Sequence, residues 1–111
     1  IEHAMSALFN VAHGAGLAVV LPAWMKWHNQ KKPAQYQRFA KEVFGVESID
    51  EGINQLEAWF KKIGAPVTLE EANIPREAIS DLADNAYGLA TMWGINEIYP
   101  KEKIVEILEL A

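Results

Sequence analysis

The chain has 111 residues, half of them hydrophobic and 23% charged, with a formal net charge of −5 and no cysteine. That size and balance predict one folded domain and exclude a disordered segment. The acidic sum, with Lys31-Lys32 and Lys61-Lys62 the only adjacent basic pairs, argues against nucleic acid or an acidic membrane as the main partner, and the missing cysteines rule out disulfides, thiolate metal sites and cysteine nucleophiles.

The first helical block covers about residues 2–10, with Met5, Leu8 and Phe9 at helical spacing. A second runs from about Gly14 to Asn29 and carries Leu17, Val20, Leu21, Trp24 and Met25. Pro22 removes an amide donor inside it, which predicts a kink or a break. The longest nearly apolar run, Ala15 to Met25, is too short to span a bilayer and is interrupted by that proline. It also lacks the basic start and cleavage site of a signal peptide. With the absence of cysteine, this gives the expectation of a soluble, cytoplasmic domain.

After a polar link, Pro33 opens a third helix at its first turn, with Tyr36, Phe39, Ala40, Val43 and Phe44 on one face and Gly45 as its stop. Ser48-Ile-Asp-Glu51 reads as a capping box for a fourth helix carrying Ile49, Ile53, Leu56, Phe60 and Ile63, ended by Gly64. Thr68-Leu-Glu-Glu71 reads as a second box over a short helical turn that ends near Asn73. Pro75 opens a long helix whose stripe of Ile79, Leu82, Ala83, Ala86 and Ala90 is narrow enough for close approach and predicts a central position. Gly94 to Tyr99 reads as a loop, and Pro100 starts a last helix with Ile104, Val105, Ile107 and Leu108. No run alternates like a half-buried strand. The predicted fold is all-α, a multi-helix domain over residues 1–111 with six or seven helices.

Most features have a structural reading. Trp59/Phe60 and Tyr36/Phe39 are expected in the core, and Glu70-Glu71, Glu102, Glu106 and Glu109 on a solvated face. No acidic pair is spaced for general acid–base work. Nucleophile elbows and phosphate loops are absent, since Gly14-Ala-Gly16 lacks both a third glycine and a preceding strand.

The histidines carry the remaining information. His28, in a polar stretch before a loop, reads as a surface residue. His3 and His13 are ten positions apart. On one straight helix that spacing means a rise of about 15 Å and a turn of roughly 80°, whereas a metal–nitrogen bond is only about 2 Å long. The two can share an ion only if the chain bends between them, so one ligand with one neighbour is the favoured arrangement. Gly14 and Gly16 permit a tight turn or the close approach of another group, placing His13 at a helix start facing a cavity.

The stretch "HAMSALFNVAHGAGLAVVLPAWM" resembles the metal-binding signature of the iron-containing (group III) alcohol dehydrogenases, and in particular their NAD(P)H-dependent butanol dehydrogenase branch. The family pattern is a histidine, three residues, a second histidine, nine residues, then His-Gly and an apolar helix leading to a proline. His3 matches the second histidine, His13-Gly14 the closing pair, and Leu17 to Pro22 the apolar run. The segments "PAQYQRFAKEVFG", "WFKKIGAPVTLEEANIP" and "IVEILELA" are similar to the family's C-terminal helical region.

The resemblance implies that His13 is a metal ligand and that His3, beside metal and nicotinamide, assists catalysis or proton transfer. The first histidine of the pattern would fall two residues before Ile1, and an Asp and a His further upstream would complete the ligands. The implied fold is the helical C-terminal domain of such an enzyme, without its N-terminal nucleotide-binding domain. The implied cofactors are Fe2+ or Zn2+ and NAD(P)H, the latter held mainly by the other domain. The implied reaction interconverts short-chain, butanol-like alcohols and aldehydes by hydride transfer, in a homodimer or larger homo-oligomer. On these grounds the chain is expected to be a piece of a longer protein, inactive in isolation. The rival readings are a non-enzymatic α-helical interaction module with structural histidines, and a relative of the same fold acting on glycerol, lactaldehyde or methanol.

Overall fold

The computed structural model describes residues 1–111 and contains six α-helices and no strand. They are α1 (Glu2–Phe9), α2 (His13–His28), α3 (Pro33–Phe44), α4 (Ile49–Lys62), α5 (Ile79–Met92) and α6 (Lys101–Glu109), with 3₁₀ turns at Asn29–Lys31 and Arg76–Ala78. The punctuation follows the predicted chemistry. Gly45 and Gly64 leave α3 and α4 at φ +70° and +81°, in the left-handed region that a residue without Cβ enters freely. Pro33 occupies the first turn of α3. No helix is long and apolar enough to cross a membrane.

The core has two parts. The larger gathers Met5 of α1, Val19, Val20 and Ala23 of α2, Leu82, Ala83 and Ala86 of α5, and Ile104, Ile107 and Leu108 of α6, with Leu69 and Ile74 from the loop between α4 and α5. The smaller joins Met25 of α2 to Tyr36 of α3 and Ile53 of α4. The expected central helix, α5, packs on α1 and α6, but α2 is the element that reaches both cores.

Several expectations are corrected. Of the kink or break expected at Pro22, the break does not occur, since α2 runs from His13 to His28 with the proline inside and buried. Val19, Val20, Ala23 and Met25 on either side of it bury their side chains, and this offsets the loss of one backbone hydrogen bond. The short helical turn expected after Thr68 is present by contrast, with the Ala72 amide on the Thr68 carbonyl at 3.1 Å and its end at Asn73, φ +58°. Thr68 Oγ1 accepts the Glu71 amide at 3.1 Å, and the Glu71 carboxylate reaches back to the backbone amides of Val67, at 2.8 Å, and Thr68. Trp59, Val43 and Ile63 are 50%, 60% and 58% exposed. The buried faces of α3 and α4 are therefore narrower than predicted, because each helix meets only part of the other and of α2.

Candidate active site

α1 ends at Asn10, which adopts the left-handed conformation (φ 53°, ψ 33°) and returns its backbone N–H to the Ser6 carbonyl. Asparagine tolerates that region better than most side chains. Two residues later Ala12 is extended and α2 begins at His13. This turn folds α1 back on α2 and brings the two predicted histidines together, with ring centroids 5.5 Å apart. The straight-helix separation therefore does not apply. His3 and His13 remain 57% and 60% exposed, so both imidazoles are reachable from outside.

The residue between them is not one that the sequence singles out. Glu2 is only 4% exposed. Its Oε2 is hydrogen-bonded to His13 Nδ1 and lies 3.8 Å from His3 Nδ1. Its Oε1 lies 2.6 Å from the Ser6 hydroxyl, which has the Val11 carbonyl at 2.9 Å as its other acceptor. The Ser6 spacing, i and i+4 on one helix face, is the sole local signal for this cluster. The link from residue 2 to residue 13 depends on the turn.

Beside this cluster a cavity of about 300 Å³ opens between α1, α2, α5 and the loop before α6. Its walls are nearly all apolar, including Leu17, Val20, Ala90, Trp93 and Ile104, with Glu2 and His3 at the polar end. Trp24 Nε1 donates to the Tyr99 hydroxyl at 3.1 Å and closes one wall. Trp93 stands edge-on to His3, centroids 5.6 Å apart at 83°. An apolar hollow with one convergent polar end is the form of a small-molecule site, and it suits a ligand with an aliphatic body and one oxygen.

His28 is not the free surface residue predicted. It is half-buried, stacked on Trp24 with centroids 4.6 Å apart at 11°, and its Nδ1 is 2.9 Å from the Tyr36 hydroxyl. Partial removal from water, and then the charges of Lys31 and Lys32, hold its pKa below the ordinary 6.5. It packs on these aromatic neighbours, apart from the histidine pair.

No group of three or more His, Asp or Glu in the chain converges to make a metal site by itself. His13 nonetheless suits a share in one. Its Nδ1 is engaged by Glu2 and its Nε2 makes no hydrogen bond within the chain, leaving an exposed imidazole nitrogen, a ligand type that iron and zinc accept.

The sequence profile of the C-terminal part of the Fe-containing alcohol dehydrogenase family matches residues 1–111. The chain is 34% identical to a probable NADH-dependent butanol dehydrogenase 1 of Bacillus subtilis (strain 168), over all of its own length and 30% of that relative's. Among solved structures, NADH-dependent butanol dehydrogenase A from Thermotoga maritima superposes with a TM-score of 0.91 and 46% identity, covering 99% of this chain and 31% of that one. An aldehyde reductase from E. coli superposes with a TM-score of 0.84 at 22% identity, covering 97% and 30%, a likeness of fold alone. The chain thus spans a little under a third of the length of the relatives it matches.

Proposed function

From the premise that the chain belongs to the Fe-containing alcohol dehydrogenase family, as its C-terminal part, we propose that it supplies the metal-side and substrate-side half of a nicotinamide-dependent dehydrogenase for short aliphatic alcohols and aldehydes. The observation that carries this reading is the joining of the His3–Glu2–His13 cluster to an apolar cavity of about 300 Å³. The relatives' names supply the butanol-like substrate and NADH or NADPH.

In this reading His13 is one ligand of a divalent ion, Fe2+ or Zn2+, whose other ligands come from outside residues 1–111. When bound, the ion supplies Lewis-acid polarisation of the substrate oxygen and the nicotinamide accepts or returns hydride. The chain's own residues do the rest. Leu17, Val20 and Ala90 receive the aliphatic body and exclude water from the reacting carbon. His3, at the polar end of the cavity, takes the hydroxyl proton during oxidation and returns it during reduction. Its ring packs against Trp93 in a T-shaped pair. The N-terminal nucleotide-binding domain, a cytoplasmic location and a homodimer or larger assembly belong to the same proposal. Membership in an oxidoreductase family favours it over the helical interaction module.

The test is metal content and turnover of the full-length protein. His13→Ala is expected to abolish both stoichiometric metal and alcohol oxidation. His3→Ala is expected to keep metal and lose turnover. Stoichiometric metal in His13→Ala refutes the ligand assignment, and loss of metal in His3→Ala reverses the two roles.

A further inference from the structure

Glu2 is the one charged side chain placed in the core, 4% exposed, and burying a carboxylate is costly unless it is paired and hydrogen-bonded. No lysine or arginine pairs with it; the nitrogen groups within reach are the His13 ring and, at 3.8 Å, the His3 ring. The site around it is built from two helices. From α1, Ser6 reaches Oε1 at 2.6 Å. From α2, His13 donates to Oε2, and Gly16 leaves the space in which the Glu2 stem lies. A Cβ at position 16 would sit 2.8 Å from both Cγ and Oε1 of Glu2, closer than side chains pack.

An ionised carboxylate can only accept. Its contact with Nδ1 therefore requires the proton on that nitrogen and leaves the lone pair of His13 on Nε2. We propose that Glu2 is a positioning residue for His13: it fixes the Nδ1–H tautomer and the ring orientation, so that Nε2 is presented as the metal donor. This rests on the reading of His13 as a ligand and extends it to a residue that acts through His13. Carboxylate partners of this kind fix ring orientation and raise ligand basicity, and their loss weakens metal binding by about 10–100-fold. Gly16 belongs to the same device, as the position that must stay without a side chain for the carboxylate to reach His13.

The experiment uses the full-length enzyme with Zn2+ alone as probe, its affinity measured by chelator competition, and selective 15N labelling of histidine to read the His13 tautomer. Glu2→Gln keeps the shape of the side chain and removes its charge. It is expected to weaken Zn2+ by about tenfold or more and to move the His13 ring signals of the metal-free enzyme away from the pure Nδ1–H pattern. A smaller loss of affinity with unchanged ring signals overturns the role of Glu2. If Glu2→Gln does not fold, Gly16→Ala serves in its place, since it keeps all the polar groups but displaces the carboxylate; the same threshold and the same ring signals decide. His13→Ala in parallel separates the two claims. If it loses Zn2+ while Glu2→Gln keeps full affinity, only the positioning role fails; if it keeps Zn2+, the ligand reading fails and takes this inference with it.

Discussion

Gly52→Ala tests the close packing of α3 on α4, which shapes the smaller core behind the site. In an exposed helix interior, replacing glycine by alanine stabilises by about 1 kcal/mol. At Gly52 the added Cβ would lie 2.5 Å from the Ala40 Cβ and 2.9 Å from the Ala40 Cα, against an optimal carbon separation of about 3.5–4.0 Å. Ala40 is fully buried and both of those atoms are fixed by its backbone, so no rotamer change relieves the clash. The helices must part by about 1 Å, which loosens Ile53 and Tyr36 and costs about 1–3 kcal/mol as overpacking. Gly88, on α5, is the internal control: a Cβ there meets nothing within 4 Å, and the residue is exposed. Gly88→Ala therefore keeps the propensity gain of about 1 kcal/mol, and the difference between the two variants isolates the steric cost. Thermal unfolding followed by circular dichroism, with wild type and both variants under the same conditions, should place Gly88→Ala above wild type and Gly52→Ala below it. A midpoint for Gly52→Ala equal to or above that of Gly88→Ala refutes the packing argument.

Leu17 is 43% exposed and lines the cavity, so Leu17→Trp should narrow it without unfolding α2. In the full-length enzyme kcat/KM for butanol should then fall relative to ethanol, by about 10-fold or more on the scale of methylene discrimination, and an unchanged ratio removes Leu17 from the substrate wall. Glu71 accepts the Val67 amide and pairs with Lys61, contacts that hold its pKa below the ordinary 4.5. A lowered carboxylate pKa contributes stability above the unfolded value and loses it as pH falls through the folded one. Glu71→Gln should therefore lower the unfolding midpoint at pH 7 and converge on wild type as pH falls below the ordinary carboxylate range and through the folded pKa, whereas a difference independent of pH refutes the ionic account.

The legible part of the fold was its punctuation. Ser48 accepts the Glu51 amide at 3.4 Å at the start of α4, Gly45 and Gly64 end their helices at positive φ, and Pro33 starts α3. The less legible part was breadth of burial. Helical spacing marks a face, but whether Val43 or Ile63 at its margin is covered depends on the neighbouring helix. His28 departs from its expected surface position for a related reason: its neighbours in sequence are polar, while its neighbours in space are Trp24 and Tyr36.

The sequence by itself determined the helices, the absence of strands, the start of α2 at His13, and the motif that links the chain to its family. These rest on hydrogen bonds and side-chain spacing within about four residues. Only the tertiary structure decided that the turn at Asn10 closes His3 onto His13, that Glu2 lies buried between them against Gly16, and that the cluster opens into an apolar cavity. Those contacts join α1 to α2 and α5, and their geometry is set by how whole helices pack rather than by any local pattern.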